Sequence, residues 1–170
     1  MSRPDPLFIS APLAKQHDLA DFMCGVPELD RWLREEAWRA QVAGIARTTV
    51  WLRGNDVVAY YAICPTSMQG DGLPRAVRAG YSVLPAYLLA RLALAQDLHG
   101  RNLGGQLLTD ALEQLDAATT RFGGRLIVVD AMTESVVPFY ERYGFRRVGA
   151  TNRLYLTAAS LRALMPGGTP

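Results

Sequence analysis

Cysteine is scarce in this chain, with only Cys24 and Cys64 among 170 residues. Two cysteines make no disulfide framework, and neither sits in a CxxC pair, so a stapled secreted scaffold is excluded. Histidine is equally scarce. His17 and His99 stand far apart, without cysteine or acidic partners at ligand spacing, so no metal site is expected. Long apolar runs are missing as well: none approaches the roughly 20 residues of a membrane span, and the opening MSRPDPLFIS lacks a signal-peptide core. These absences predict a cytoplasmic protein with no membrane partner. Lysine is almost absent. Lys15 stands alone against 17 arginines, yet the formal net charge is only +2, so the molecule as a whole is no polycation. A GC-rich coding bias explains that preference, and so does a need to grip phosphates, which suit the planar guanidinium better than an ammonium. Composition leaves both readings open.

What is present predicts one mixed α/β domain over residues 1–165, with a frayed tail at 166–170 (PGGTP). LFIS (7–10) reads as a short strand. In PELDRWLREEAWRAQVA, residues Leu29, Trp32, Leu33, Ala37 and Ala40 recur at helical spacing. Pro27 suits the first helical position, while Val26 is a poor N-cap. TTVWLRGNDVVAYYAIC reads as two strands turned at Gly54-Asn55-Asp56. Pro65 to Gly80 has no periodicity and reads as a long loop. Tyr87 to Gln96 then predicts a strand, 104–121 a helix with an apolar stripe, and RLIVVDA (125–131) a strand buried on both faces. SVVPFYERYG reads as a short helix ended by Gly144, and FRRVG and RLYLT as two last strands.

The stretch RLALAQDLHGRNLGGQLL (91–108) carries the first functional signal. Gly100, Gly104 and Gly105 surround Asn102, a residue that tolerates positive φ, where a strand hands over to a helix. Such a turn aims backbone N–H groups and a helix N-terminus into one concavity suited to a pyrophosphate, and Arg101 adds a cation. A plain tight αβ connection would contain the same glycines. The spacing is not GxxxxGK[ST], which excludes a P-loop, and its place after about the fourth strand makes a poor dinucleotide fingerprint.

The segment LHGRNLGGQLL is similar to the acetyl-CoA-binding motif of the GNAT acetyltransferase superfamily, Q/R-x-x-G-x-G/A, mapped on His99, Asn102 and Gly104. His99 replaces Gln or Arg, and Asn102 replaces Gly. VPFYERYGF (137–145) resembles the superfamily's second signature. Together with HDLADFMCGVPELDRWL, YYAI and LLARLAL, these stretches resemble the acetyltransferase toxins of bacterial type II toxin–antitoxin modules from about His17 to Leu156. The resemblance implies the GNAT fold, a central mixed sheet flanked by helices, and acetyl-CoA as co-substrate. Its site would be Ala93, Leu94, Ala95, His99, Gly100, Arg101, Asn102, Leu103, Gly104 and Gly105, with backbone N–H groups near Leu94 facing the thioester oxygen. It further implies aminoacyl-tRNA as a substrate, a ribbon-helix-helix antitoxin as a partner, and a homodimer.

The same resemblance points to Tyr140 as general acid, with Tyr143 as its near neighbour. A phenol suits the task because its reference pKa of about 10 lies near that of the departing thiol. Glu134, beside Thr133 and Ser135, is a candidate base, although a carboxylate that opens a helix is more often a cap-region charge. Arg34, Arg75, Arg78 and Arg91 are the candidate contacts to an RNA backbone. An acetyltransferase for a small-molecule or protein amine, and an inactive GNAT-fold binding module, are the alternative functions.

Overall fold

The computed structural model of the chain describes residues 8–167. In chain order the elements are strand β1 (Ile9–Pro12), helices α1 (Pro27–Glu35) and α2 (Ala37–Val42), strands β2 (Arg47–Arg53) and β3 (Asp56–Gln69), helix α3 (Arg75–Arg78), strand β4 (Val83–Leu94), helix α4 (Leu103–Phe122), strand β5 (Leu126–Asp130), helix α5 (Val137–Glu141), strands β6 (Arg146–Arg147) and β7 (Arg153–Thr157), and helix α6 (Ala158–Leu164). The strands form one mixed sheet in the hydrogen-bonding order β1-β2-β3-β4-β5-β7-β6. Two compact units divide the chain at Cys64/Pro65, Leu89/Ala90 and Ala111/Leu112.

The first unit holds β1, α1, α2, β2, most of β3, the end of β4 and the start of α4. Its three strands pair antiparallel, with Ile9 opposite Leu52 and Val50 opposite Tyr60. Gly54, at φ 66°, turns the β2–β3 hairpin that the Gly-Asn-Asp signal predicts. Val26 caps α1 with no side-chain hydrogen bond, as its chemistry requires. The single helical stripe is interrupted at Glu36, whose φ is −116°. The bonds from Glu36 N–H to the Trp32 carbonyl and from Ala40 N–H to the Glu36 carbonyl persist, so the interruption is a kink. Leu33 and Ala37, on either side of it, are both fully buried.

In the second unit, β4 pairs parallel with β5 over Ala86–Leu89 and Leu126–Val129. This is the βαβ connection that the helix-period stripe between two apolar runs predicts. β7 pairs antiparallel with both β5 and β6. Met68, Leu73, Leu84, Ala86, Leu126, Val128 and Tyr155 form the core of this unit.

Several expected boundaries are corrected. The first strand begins at Ile9, not Leu7, which lies outside the described residues. The long loop at 65–80 is largely ordered, because β3 continues through Pro65 to Gln69 and α3 follows. Only Met68 anchors that part of β3 with an apolar side chain, so no alternation was visible there. Gly70 is closely approached, since a Cβ there would lie 2.8 Å from Arg78 Cδ and 3.2 Å from the Ser82 carbonyl oxygen, and the Arg78 side chain would have to shift. β4 ends at Leu94 in a 3₁₀ turn over Gln96–Leu98. Helix α6 was not foreseen; Thr157 caps it by accepting the Ser160 N–H at 3.1 Å. Of the tail at 166–170, residues 168–170 lie outside the described residues.

Candidate active site

The β4–β5 ladder stops at Leu89, and the last residues of β4 lead into the glycine turn. Three hydrogen bonds lock that strand end. Ala95 N–H donates to the Val58 carbonyl, Gln96 N–H to the Met23 carbonyl, and His99 Nε2 to the Leu94 carbonyl, each at 2.8 Å. Two expectations change here. Ala95 spends its N–H on β3, so it is not a donor for the co-substrate. His99 turns its ring back onto the strand, toward the Leu94 carbonyl, instead of toward the turn.

Beyond His99, Gly100 and Asn102 adopt φ values of 79° and 61°. Asparagine tolerates that left-handed region better than other side chains, so its replacement of glycine leaves the turn intact. Among the described residues, the N–H groups of Gly100, Arg101 and Asn102 donate to no backbone carbonyl. The first N–H groups of α4, from Leu103, Gly104 and Gly105, have no acceptor within a helix by construction. A Cβ placed on Gly104 meets nothing within 4 Å. These residues therefore surround open space with unspent donors at a helix N-terminus, the arrangement a diphosphate fits.

The second unit carries Tyr140. Pro138 lies in the first turn of α5, which positions Tyr140 one turn before Gly144 at φ 91° ends the segment. Tyr140 is buried in T-shaped contact with Phe139 and Phe145. Burial pushes its phenol up to about 12, so the hydroxyl keeps its proton throughout the physiological range. No described protein group hydrogen-bonds that hydroxyl, which leaves its proton available. Tyr143 is more exposed and packs on Phe139. Glu134 pairs with Arg147, which also donates to Asn152 Oδ1 at 3.0 Å. That places the Glu134 carboxylate in a surface ion pair.

The four candidate arginines divide between the units. In the first, Arg34 Nη1 donates to the Phe22 carbonyl at 2.9 Å, tying α1 to the segment before it. Arg91 lies with its guanidinium 4.3 Å from the centroid of the Trp32 ring. In the second, Arg75 and Arg78 open and close α3, and Arg78 Nε is buried without a partner among the described residues. The Trp32 contact was missed because Trp32 fits the apolar stripe of α1 and reads as core. Only the strand that brings Arg91 beside it distinguishes the two.

A family model for the acetyltransferase (GNAT) domain matches residues 76–153. A relative from Mycobacterium tuberculosis (strain ATCC 25618 / H37Rv) named tRNA-acetylating toxin is 34% identical over 150 residues, spanning 86% of this chain and 90% of the relative. Among solved structures, a tyrosine-to-phenylalanine mutant of KacT shares the fold with a TM-score of 0.88 at 22% identity, over 94% of this chain and 99% of that one. A tyrosine-to-phenylalanine mutant of the toxin AtaT, solved with the C-terminus of the antitoxin AtaR and acetyl-CoA, gives a TM-score of 0.80 at 25% identity over 93% and 97%. With that identity sustained over nearly the whole of a curated relative, this chain is an N-acetyltransferase and belongs to the GNAT acetyltransferases, within their family of acetyltransferase toxins.

Proposed function

We propose that this enzyme moves an acetyl group from acetyl-CoA to the α-amine of an aminoacyl-tRNA and thereby blocks translation. The observation that carries the reading is the open, donor-lined turn at Gly100–Gly105 in a chain 34% identical to a tRNA-acetylating toxin. The AtaT structure with acetyl-CoA supports the same co-substrate here. Acetyl-CoA supplies the activated acyl group. The turn and the first turn of α4 hold its diphosphate through backbone N–H groups. The Leu94 N–H, on the side of β4 away from β3, polarises the thioester oxygen; Tyr140 gives its hydroxyl proton to the departing sulfur, and the proton shed by the acylated nitrogen restores the phenol.

The amine needs little help. An ester-linked α-amine should titrate no higher than the roughly 7.7–8.0 of a chain terminus, so much of it is neutral near pH 7, whereas a lysine amine near 10.4 would demand a strong base. Glu134, the candidate base, lies in a surface ion pair with Arg147. The smaller demand on a base favours an aminoacyl substrate over a protein lysine. Arg34, Arg75, Arg78 and Arg91 contribute positive charge toward the RNA, with Arg34 acting chiefly through the loop it holds. An antitoxin partner follows from the same reading, and the AtaT–AtaR complex supports it; a ribbon-helix-helix fold is its expected form.

The test is direct. Purified enzyme with acetyl-labelled acetyl-CoA should label charged tRNA and leave uncharged tRNA unlabelled, and ester hydrolysis should release N-acetyl-amino acid. Labelling of free polyamines or protein lysines, with charged tRNA untouched, would replace this function by that of a small-amine or protein acetyltransferase.

A further inference from the structure

The first unit contains a three-layer stack that the acetyl-transfer chemistry does not use. At its base Tyr60 is fully buried and donates its hydroxyl to the Leu29 carbonyl at 2.8 Å. Trp32 lies nearly parallel on Tyr60, with ring centroids 6.0 Å apart and planes at 12°. The half-buried Arg91 lies on Trp32, its guanidinium carbon 4.3 Å from the ring centroid. The stack holds the guanidinium over a ring face and leaves its edge donors unspent. Seven other arginines are matched: Arg39, Arg53, Arg147, Arg153 and Arg162 pair with carboxylates, and Arg34 and Arg125 donate to carbonyls. Among the described residues Arg91 has neither kind of partner. A guanidinium that is half-buried, oriented and unneutralised is a receptor for an anion, and its paired N–H edge suits two oxygens of a phosphate.

Position narrows the anion. Arg91 precedes Leu94 by three residues on β4, a span of about 10 Å along a strand. In an aminoacyl-adenosine the α-amine and the 5′ phosphorus are separated by about eight bonds, which is also roughly 10 Å when extended. We propose that Arg91, held by the Trp32–Tyr60 stack, binds the phosphodiester on the 5′ side of the terminal nucleotide of the aminoacyl acceptor. Trp32 and Tyr60 are then positioning residues for that contact. This inference rests on aminoacyl-tRNA being the substrate.

The experiment uses charged tRNA whose last phosphodiester is either native or replaced by an uncharged methylphosphonate. With the parent enzyme, neutralising that phosphate should raise KM about tenfold or more, the usual worth of a hydrogen bond to a charged group. With Arg91→Gln, KM should be raised for native tRNA and unchanged by the methylphosphonate, because the partner is already gone. Arg91→Lys and Trp32→Leu should fall between parent and Arg91→Gln. All three should keep the parent's thermal shift with acetyl-CoA, which also checks folding. Independent, multiplying losses from Arg91→Gln and the methylphosphonate would overturn the proposal. So would an Arg91→Gln enzyme that loses the parent's preference for acetyl-CoA over its 3′-dephospho form, since the phosphate would then belong to the co-substrate. A parent enzyme that fails to acetylate any charged tRNA would instead overturn the substrate assignment itself.

Discussion

The turn at residues 99–105 and the helix that carries Tyr140 reach function by opposite routes. The turn is built from main chain. Its working groups are N–H donors, its space comes from a missing side chain at Gly104, and its left-handed positions are met by Gly100 and Asn102. Such a device tolerates substitution wherever backbone shape survives, which is why His99 and Asn102 depart from the motif without disturbing it. The proposed role of the Tyr140 helix rests on a single oxygen, and burial among Phe139 and Phe145 raises its proton affinity. Nothing in the backbone can substitute for that oxygen. A backbone site should therefore fail by steric filling or lost geometry, and a side-chain site by deletion of one atom.

The largest effect should come from the side-chain half. Tyr140→Phe keeps the ring and its aromatic contacts, so the protein should fold and still bind acetyl-CoA. Its acetyl-transfer rate should fall at least about a hundredfold, roughly 3 kcal/mol of barrier, as expected for loss of a general acid. Tyr143→Phe should lose little. A dead Tyr143→Phe beside an active Tyr140→Phe, measured by single-turnover acetylation, would move the acid to the other tyrosine.

The backbone half breaks next. Gly104→Val places branched carbons in the open space above the α4 N-terminus and should remove the thermal stabilisation by acetyl-CoA. At a hundredfold excess over Kd that stabilisation is about 2.7 kcal/mol. A folded Gly104→Val protein with an undiminished melting shift would locate the diphosphate elsewhere. A finer probe is Asn102, at φ 61°. Asn102→Val should lower stability by about 1–2 kcal/mol, the penalty for a bulky residue in the left-handed region, while Asn102→Gly should stay close to the parent in urea unfolding.

The smallest effect sharpens the comparison through pH. With its phenol raised to about 12, Tyr140 remains protonated, and so competent as an acid, well beyond its ordinary titration point. The rate at subsaturating charged tRNA should rise as the substrate amine loses its proton, at or below roughly pH 8, and then hold level toward about pH 10. A decline below that point would show that a different, more acidic group donates the proton.

Much of this molecule was legible in order and type. The apolar run 125–131, the stripe of α4 and the glycine turn between strand and helix each carry a local signal, because strand alternation, helical period and left-handed backbone impose their demands within a few residues. The ordered course of 65–80 was hidden, since a strand anchored only by Met68 and a helix of four residues leave no period to detect. The site was legible where resemblance supplied positions. The fate of individual groups was not. Ala95 spends its N–H on Val58, His99 turns to Leu94, and Glu134 meets Arg147, across separations that no local pattern encodes.

Local chemistry by itself determined that a turn at 99–105 would expose backbone donors ahead of a helix, because glycine, asparagine and a helix start act over neighbouring residues. Tertiary structure alone decided the state of the side chains. Burial raised the Tyr140 phenol, the fold set Glu134 against Arg147, and the approach of β4 to α1 set Arg91 on Trp32. Dielectric, charge pairing and ring stacking depend on distances through space, and those exist only once the chain has folded.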